Sequence, residues 1–485
     1  MHRSRSPPVI LHDDVRVMGM RVMAGRGVGK SIFLGSVAFQ DCIQGKTVVV
    51  FDDVGGTIDN ILNSIVHQPE HVQRALWPKV RYIDTSGTRG GVTALPLYYR
   101  LSPDESLYRV AQRYLEVIKR FDPELTSASV QGFNALWSIG TYTGMLLSAT
   151  GGQITEAEAL LNDPTPWLAK APASPELDAV IQFFTQEYRT WKQERRDTQT
   201  AAFRTKVQLV TLDPPTRAMV GASTPGIDWQ EITEARQLVL IDLRFETSLE
   251  LKRFKLLWVL MTFIWFLKHR GGGRHAPISL VIDELASLYT LSAFGSDVFS
   301  ADLDELVNVL SRNHRVMLTV AHQEVWQLPE RAQKTLMTLG TQVVGATSDI
   351  DAAVAMARQL FALDPYRLKY EHPIYDQGAI INHTPEFMSL DEQAYEIARF
   401  LVTQQRFHFV ARIAGGEGSA SGAIKRISTQ HVSGGRFVNE ALVAEVRRRL
   451  MQRDTPAIAP ATVKGHSHEQ GSHRLSSPVI LADEL

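Results

Sequence analysis

The fold of this chain is decided by the stretch Val22-Met23-Ala24-Gly25-Arg26-Gly27-Val28-Gly29-Lys30-Ser31. A short apolar segment runs into a glycine-rich turn that ends in Gly-Lys-Ser, and an apolar helix is predicted to follow. In such a strand–loop–helix unit, glycines let backbone N–H groups converge on phosphate oxygens at the positive end of the helix. The stretch therefore predicts a phosphate-binding loop, in which Ala24 takes the place of the usual first glycine.

Every residue of this loop is a candidate contact for a nucleotide. Lys30 is expected to reach the β- and γ-phosphates, and the Ser31 hydroxyl is expected to hold Mg²⁺. The alternative is a glycine turn that happens to precede a lysine, and the flanking strand and helix make that alternative weaker. The predicted nucleotide contacts are Ala24, Gly25, Arg26, Gly27, Val28, Gly29, Lys30, Ser31 and Ile32.

A second nucleotide signal is Ser279-Leu280-Val281-Ile282-Asp283-Glu284, an apolar strand that ends in two carboxylates. In phosphate-loop ATPases this is the second metal and water site, so Asp283 is predicted to hold Mg²⁺. Glu284 is predicted to polarise the water that attacks the γ-phosphate. Two solvated carboxylates at a strand end are the alternative, and the loop around Lys30 favours the catalytic interpretation.

A third apolar strand, at 316–323, ends in His322-Gln323. If this strand lies between the phosphate loop and the Asp-Glu strand, Gln323 comes close to the γ-phosphate and can sense hydrolysis. Arg312 and Arg315 precede the strand, and either can act as an arginine finger on the nucleotide of a neighbouring subunit. A solvated helix end is an equally good interpretation of each arginine.

Composition restricts the possible partners. The 485 residues are 44% hydrophobic and 21% charged with a net charge of -1, so any contact with nucleic acid must be a local patch or a lined channel. The single cysteine, Cys42, fits a reducing cytosol and is interpreted as a core residue. The apolar run 256–267 is too short to span a bilayer and is predicted to be a buried helix.

The pattern of strands and helices divides the chain into segments. Strands and helices alternate over 15–103 and again over 226–415, which predicts a mainly parallel sheet flanked by helices. Between these halves, 104–225 is predicted to be an inserted, all-α subdomain packed on the sheet. A helical extension is expected at 416–453 and a disordered tail at 454–485.

Taken in order, these segments resemble the HerA/FtsK superfamily of ring-forming DNA motors. Within it they are most similar to the TraG/TraD-type coupling proteins of conjugation and type IV secretion. The resemblance rests on the phosphate loop, on Phe51-Asp52-Asp53-Val54-Gly55-Gly56 after the second strand, on 280–288, and on Val320-Ala321-His322-Gln323. It covers roughly residues 15–415, and it is weak in the helical insertion.

The resemblance implies an α/β fold of the RecA-like (ASCE) P-loop NTPase class. It also implies a homo-hexameric ring with ATP and Mg²⁺ at the subunit interfaces and DNA in the central pore. By position, Asp52 matches the family's acidic residue after the second strand and is carried over as a nucleotide-binding residue. Coupling proteins usually have N-terminal transmembrane helices, whereas no such segment is predicted here. We therefore expect a cytoplasmic protein that is recruited through membrane-anchored secretion or conjugation components.

The leading hypothesis is an ATP-driven DNA translocase in conjugative transfer. Basic pore loops are expected in such a motor, and the candidates are 270–275 and Lys425-Arg426 within a Gly/Ser-rich stretch. One alternative is an adaptor that docks protein substrates on a secretion apparatus and uses nucleotide only for assembly. Another is a HerA-like ATPase of a defence or DNA-end-processing complex.

Overall fold

The computed structural model describes residues 9–87, 91–121, 130–271, 275–289, 298–361, 363–377, 379–414, 423–429 and 438–454. The predicted tail after residue 454 and residues 272–274 of a candidate pore loop therefore lie outside the described residues.

A large β-sheet forms the centre of the fold. The strands of the described residues are β1 Met20–Met23, β2 Thr47–Asp52, β3 Val80–Asp84, β4 Leu238–Asp242, β5 Ile278–Ile282, β6 Val316–His322, β7 Thr341–Val344, β8 Leu368–Asp376, β9 Ala379–Phe387, β10 His408–Ile413 and β11 Ala423–Ser428. Nine of them form one sheet in the order β11-β10-β7-β1-β6-β5-β2-β4-β3, while β8 and β9 pair only with each other.

The strands from β7 to β3 in this order are all parallel. At the β7 edge, β10 pairs antiparallel with β7, and β11 pairs antiparallel with β10. Each parallel strand is apolar on both sides because helices cover both faces of the sheet. On β2, Val48 and Val50 pack into one hydrophobic cluster, whereas Val49 and Phe51 pack into the other. The predicted α/β fold with a mainly parallel sheet is confirmed.

Helices surround this sheet. They are α1 Asp13–Val17, α2 Lys30–Ile43, α3 Gly56–Val66, α4 Glu70–Leu76, α5 Leu107–Phe121, α6 Val130–Ala149, α7 Ala157–Asn162, α8 Thr165–Lys170, α9 Asp178–Gln182, α10 Gln193–Thr211, α11 Pro214–Val220, α12 Trp229–Glu234, α13 Leu249–His269, α14 Val298–Glu305, α15 Ser311–Asn313, α16 Glu330–Met337, α17 Ile350–Leu360, α18 Leu390–Val402 and α19 Glu440–Asp454. In the described part of the chain, no helix has the length and apolar character needed to cross a membrane.

The segment expected to be a helical insertion is helical, from α5 to α11. Its helices do not enclose a core of their own. Tyr114 of α5 and Phe203 of α10 belong to the same continuous cluster as Phe51 of β2 and Trp258 of α13. The helical segment therefore shares one hydrophobic core with one face of the sheet and with α13, which contacts α5. The exact boundaries 104 and 225 stay a prediction.

The C-terminal segment differs from its prediction. The stretch 416–453 was expected to be a helical extension, but it contains β11, which pairs with β10 at the edge of the sheet. Lys425 and Arg426 therefore lie on a strand and not in a loop, so their interpretation as a pore loop was wrong. The neighbouring glycines and serines favour a loop in the sequence, but pairing with β10, a contact between distant segments, makes 423–428 a strand. The α19 helix lies in the second half of this stretch and packs on α3 and β3.

Candidate nucleotide-binding site

The turn between β1 and α2 has the backbone of a phosphate-binding loop. Gly27 and Gly29 have φ angles of 73° and 113°, a left-handed region that glycine enters without strain. Helix α2 begins at Lys30, so its free N–H groups face the loop. Ala24 is tolerated in the first glycine position because it faces another glycine. A Cβ atom on Gly345 would lie only 2.8 Å from the Ala24 methyl group.

The other loop residues differ in accessibility. The Gly25 N–H donates to the Ala346 carbonyl at 2.8 Å, which joins the loop to the end of β7. Val28 is buried, Ile32 is half-buried on α2, and the side chain of Arg26 is exposed. The loop is therefore held by β7 on one side and opens towards solvent at Arg26.

Three hydroxyl and carboxylate groups meet at the start of α2. The Ser31 Oγ donates to Asp283 Oδ2 at 3.2 Å, and the Thr57 Oγ1 donates to the same oxygen at 2.7 Å. Thr57 is held there because α3 begins against α2, where a Cβ on Gly56 would lie 3.2 Å from the Ser31 hydroxyl. Sequence reasoning missed Thr57, because it is 226 residues from Asp283 and belongs to no motif considered.

Lys30, Glu284 and Gln323 form the second part of the site. The Lys30 ammonium lies 2.9 Å from Glu284 Oε2 and 3.7 Å from Asp283 Oδ1. Gln323 Nε2 donates to the same Glu284 oxygen at 2.8 Å, and its Oε1 accepts from Arg26 Nε at 3.3 Å. The three residues proposed for phosphate binding, hydrolysis and sensing are thus in direct contact. The expected position of β6 between β1 and β5 brings them together.

Glu284 has an unusual backbone. Its φ and ψ are 61° and 62°, in the left-handed region that residues other than glycine rarely adopt. Such strain costs on the order of 1 kcal/mol and concentrates at functional sites. The conformation turns the chain directly after β5, so Glu284 leaves the strand towards Lys30 while the following residues form a short 3₁₀ helix.

The Asp52 carboxylate is bound by the backbone of the turn that follows β2. Its side chain is fully buried and accepts hydrogen bonds from the backbone N–H groups of Val54, Gly55 and Ile58 at 3.1, 2.5 and 2.9 Å. Burial, reinforced by the neighbouring Asp283 carboxylate, raises the pKa of Asp52 to about 7. In this geometry Asp52 organises the turn into α3, and α3 in turn places Thr57. Direct nucleotide binding by Asp52 stays a prediction.

Asp52 is one of four aspartates in a row. Four adjacent strands, β3, β4, β2 and β5, each have a buried aspartate at their carboxyl end. Asp84, Asp242 and Asp52 are the last residues of the first three strands and are paired side by side, while Asp283 directly follows β5. Asp242 accepts from the Tyr82 hydroxyl at 2.6 Å and from Arg244 Nε at 2.8 Å. Burial raises the pKa of Asp84. Sequence reasoning did not single out Asp84 and Asp242, although each ends an apolar strand as Asp52 does.

The two arginines lie away from this cluster. Arg312 and Arg315 are exposed at the amino end of β6, whereas Gln323 follows its carboxyl end. At about 3.3 Å per residue, the length of β6 keeps both arginines far from Lys30 of the same chain. Neither therefore completes this site in cis, and a role towards a neighbouring subunit stays a prediction. Arg270, from the other candidate pore loop, donates to the His314 carbonyl at 2.8 Å.

A further contact to the loop comes from the segment before β10. The Arg406 Nε donates to the Gly27 carbonyl at 2.8 Å, and the Phe407 N–H donates to the Val28 carbonyl at 2.7 Å. The Phe407 ring covers Gly29, where any Cβ would lie 2.5 Å from the ring. These contacts span 379 residues of sequence, which is why no local pattern predicts them.

The donor set fits Mg²⁺. Hydroxyl and carboxylate oxygens are the ligands this ion prefers, and it is often held by one or two carboxylates together with substrate phosphates. Asp283 Oδ1 is buried and has no hydrogen-bond partner among the described residues. Ser31 and Asp283 would therefore hold the ion, while Lys30 and the loop N–H groups would bind phosphate. No cluster of three or more His, Cys, Asp or Glu side chains with metal-site geometry occurs in the described ranges.

Solved structures of other proteins share this architecture. The bacterial conjugative coupling protein TrwBdeltaN70 in its unbound form has a TM-score of 0.53 and 16% identity over 88% of each chain. TrwB in complex with ADP and Mg²⁺ has a TM-score of 0.54 and 15% identity over 90% of this chain and 91% of that chain. VirB4 of Thermoanaerobacter pseudethanolicus has a TM-score of 0.51 and 16% identity over 85% of this chain and 89% of that chain.

No protein-family sequence model matches this chain, and no curated protein matches it in sequence. The likeness to the solved structures is therefore one of fold, and it extends over most of each chain. The resemblance inferred from the motifs is confirmed at this level: the chain has the fold of the conjugative coupling protein TrwB and of VirB4.

Proposed function

We propose that this protein is a Mg²⁺-dependent ATPase that moves DNA in conjugative transfer or type IV secretion. The observation that supports the proposal best is the contact of Lys30 and Gln323 with one oxygen of Glu284, at 2.9 and 2.8 Å. A lysine, a carboxylate and an amide converge beside a phosphate-binding loop. These are the groups that phosphate binding, water activation and transition-state stabilisation require.

The identity of the nucleotide is supported by the likeness in fold. TrwB has been solved with ADP and Mg²⁺, with a non-hydrolysable ATP analogue and with a GTP analogue. Those complexes show nucleotide binding by TrwB. They fit this chain because Ser31, Asp283 and Lys30 lie together at the start of α2.

The proposed reaction divides the work among the side chains. Lys30 and the loop N–H groups hold the phosphates, and the lysine charge stabilises negative charge that develops in the transition state. Glu284 accepts a proton from the attacking water, while Gln323 orients that water or the γ-phosphate. Mg²⁺, when bound, supplies charge neutralisation at the phosphate oxygens, and Ser31 and Asp283 are the residues that would hold it.

The motor function extends the proposal beyond hydrolysis. The proposed assembly is a homo-hexamer in the cytoplasm, with Arg312 or Arg315 reaching the nucleotide of a neighbouring subunit and DNA in the central pore. Both arginines are exposed and lie at the edge of the sheet opposite to the chain's own phosphate loop. This arrangement leaves them free to face another copy. Membrane-anchored conjugation or secretion components would recruit the ring.

The test is an ATPase assay on the full chain with Mg²⁺, without DNA and with single- or double-stranded DNA. We expect Mg²⁺-dependent hydrolysis that DNA stimulates and that Lys30→Ala abolishes. Lys334→Ala is the matched control, because this exposed lysine pairs with Glu330 of the same helix at 2.6 Å. Absence of ATP hydrolysis would refute the proposed ATPase activity. Hydrolysis without DNA stimulation, together with no DNA binding at low salt, would refute the DNA motor.

A further inference from the structure

One short stretch of the sequence occurs twice in similar form. The first stretch is Ser6-Pro7-Pro8-Val9-Ile10-Leu11-His12-Asp13-Asp14-Val15. The second stretch is Ser476-Ser477-Pro478-Val479-Ile480-Leu481-Ala482-Asp483-Glu484-Leu485. The two have the same residue at six of ten positions, which include an unbroken Pro-Val-Ile-Leu and the aspartate two residues after it.

The structure shows what the first stretch contacts. Val9, Ile10 and Leu11 form one wall of a cavity of about 560 Å³, here named the α2–β11 groove. Its other walls come mainly from α2, β7, β10 and β11, and they include the apolar side chains Phe33, Val37, Val343, Ile413 and Ile427. The groove therefore offers apolar contacts to a Val-Ile-Leu sequence.

The first stretch is held loosely in this groove. Ile10 is 71% exposed and Val9 is 40% exposed, while Leu11 packs partly buried against the hydrophobic cluster of the groove. Apolar side chains contribute to binding in proportion to the area that they remove from water. Displacement of this stretch therefore costs little.

A charged contact fixes the position of the first stretch. Asp13 Oδ1 lies 2.9 Å from the ammonium of Lys46, which also lines the groove. When Val9 is aligned with Val479, Asp13 is aligned with Asp483. The second stretch thus carries both the apolar side chains and the carboxylate that this groove contacts.

The second stretch follows a helix at the far edge of the sheet. Helix α19 ends at Asp454, whose carboxylate accepts a hydrogen bond of 2.8 Å from the Tyr82 N–H of β3. β3 and β11 are the two edge strands of the sheet. With strands about 4.8 Å apart, β3 lies roughly 30 Å from β7, whereas residues 455–475 span up to about 70 Å when extended. The second stretch therefore has the reach to enter this groove in its own chain or in a neighbouring one.

The position of α19 and of the groove at opposite edges favours a neighbouring subunit. When subunits lie side by side, the β3 edge of one comes next to the β11 edge of the other, and such a heterologous contact can close into a ring. We propose that residues 479–483 of one subunit bind the α2–β11 groove of its neighbour in place of residues 9–13, and so link the subunits. Exchange of near-identical segments between subunits costs little, because the groove regains with the second stretch the contacts that it loses with the first.

Photo-crosslinking of the full chain tests where the second stretch binds. A benzophenone side chain at position 482 is suitable, because the corresponding His12 is exposed in the first stretch. We expect cross-links to α2, β10 or β11, and a mixture of isotope-labelled and unlabelled chains should show that they join two subunits. Cross-links to other segments alone would overturn the assignment of the groove. Cross-links within single chains alone would overturn the link between subunits.

Sedimentation velocity tests whether the contact supports assembly. Leu481→Asp should raise the protein concentration for half-maximal assembly by roughly tenfold or more, because a carboxylate replaces an apolar side chain in the groove. Ala482→Asp is the matched control, since it adds the same charge at the position that corresponds to the exposed His12. Assembly that Leu481→Asp leaves unchanged, or that both variants weaken equally, would overturn the proposal.

The contact is independent of the proposed ATPase activity, because it uses none of the residues that meet at the phosphate-binding loop. ATP hydrolysis by a chain whose second stretch does not cross-link to the groove would overturn the link and leave the ATPase standing. Cross-links between subunits in a chain that hydrolyses no ATP would support the link and refute the ATPase.

Discussion

Gln323 Nε2 donates a hydrogen bond of 2.8 Å to Glu284 Oε2, and the two residues come from adjacent parallel strands. The same carboxylate oxygen lies 2.9 Å from the Lys30 ammonium. Glu284 therefore connects Lys30 with Gln323 through two direct contacts. If Lys30 binds phosphate and Gln323 senses hydrolysis, as proposed, a change at the phosphate would reach Gln323 through Glu284.

Glu284→Gln should separate binding from hydrolysis. The amide keeps the size of the side chain but accepts no proton from water, so kcat should fall at least about 100-fold. ATP affinity should stay within a few-fold of wild type, because Lys30 and the loop are intact. Single-turnover hydrolysis and equilibrium binding measure the two effects. A kcat equal to that of wild type would show that Glu284 is not the general base.

Gln323→Ala should lower kcat without a matching change in ATP affinity. Removal of the amide takes away one hydrogen bond to Glu284 and one from Arg26, and we expect a loss of about tenfold in kcat. Stimulation by DNA should also weaken if Gln323 senses hydrolysis. Steady-state kinetics with and without DNA test this, and a variant with wild-type kcat and full stimulation contradicts the sensor role.

Thr57 is expected to act by positioning Asp283. Thr57→Val removes the 2.7 Å hydrogen bond to the Asp283 carboxylate while nearly keeping the volume of the side chain. The Mg²⁺ concentration for half-maximal activity should therefore rise, by about tenfold if the loss resembles that of other outer ligand partners. Thr57→Ser keeps the hydroxyl and should restore the wild-type value. A Thr57→Val variant that is less stable but has an unchanged Mg²⁺ requirement would show a purely structural role.

Asp52 should make stability fall as pH rises. Its pKa is raised to about 7 in the folded chain, mainly by burial and then by Asp283, against about 3.9 in an unfolded chain. The folded state therefore binds more protons between these values, so the free energy of unfolding contributed by this group declines from about pH 4 to about pH 7. The decline is at most roughly 4 kcal/mol. Urea unfolding at several pH values should show a smaller decline for Asp52→Asn. An identical pH slope in both proteins would contradict it.

Cys42 should be unreactive in the folded protein. Burial raises the pKa of its thiol to about 11, against a smaller opposing effect of Lys79, so very little thiolate exists at pH 8. Alkylation by iodoacetamide should be at least about a hundredfold slower than for an exposed cysteine. It should reach the ordinary rate in denaturant. Rapid alkylation of the native chain would show that the helix around Cys42 opens easily.

The sequence by itself determined the elements that carry the chemistry. Apolar strands that end in Asp283-Glu284 and in Gln323, and the glycine turn before Lys30, are local patterns of residue type. Because the carboxyl ends of parallel strands meet at one edge of a sheet, these patterns also predicted that Gln323 comes close to the phosphate site if β6 lies between β1 and β5.

Only the tertiary structure decided which distant residues complete the cluster. Thr57 reaches Asp283 across 226 residues and Arg406 reaches the phosphate loop across 379 residues. The burial of Asp52 and the pairing of β11 with β10 likewise depend on how separate segments pack. The physical reason is that local patterns specify strands, turns and helix starts, whereas side-chain contacts between segments depend on strand order and on how the helices pack on the sheet.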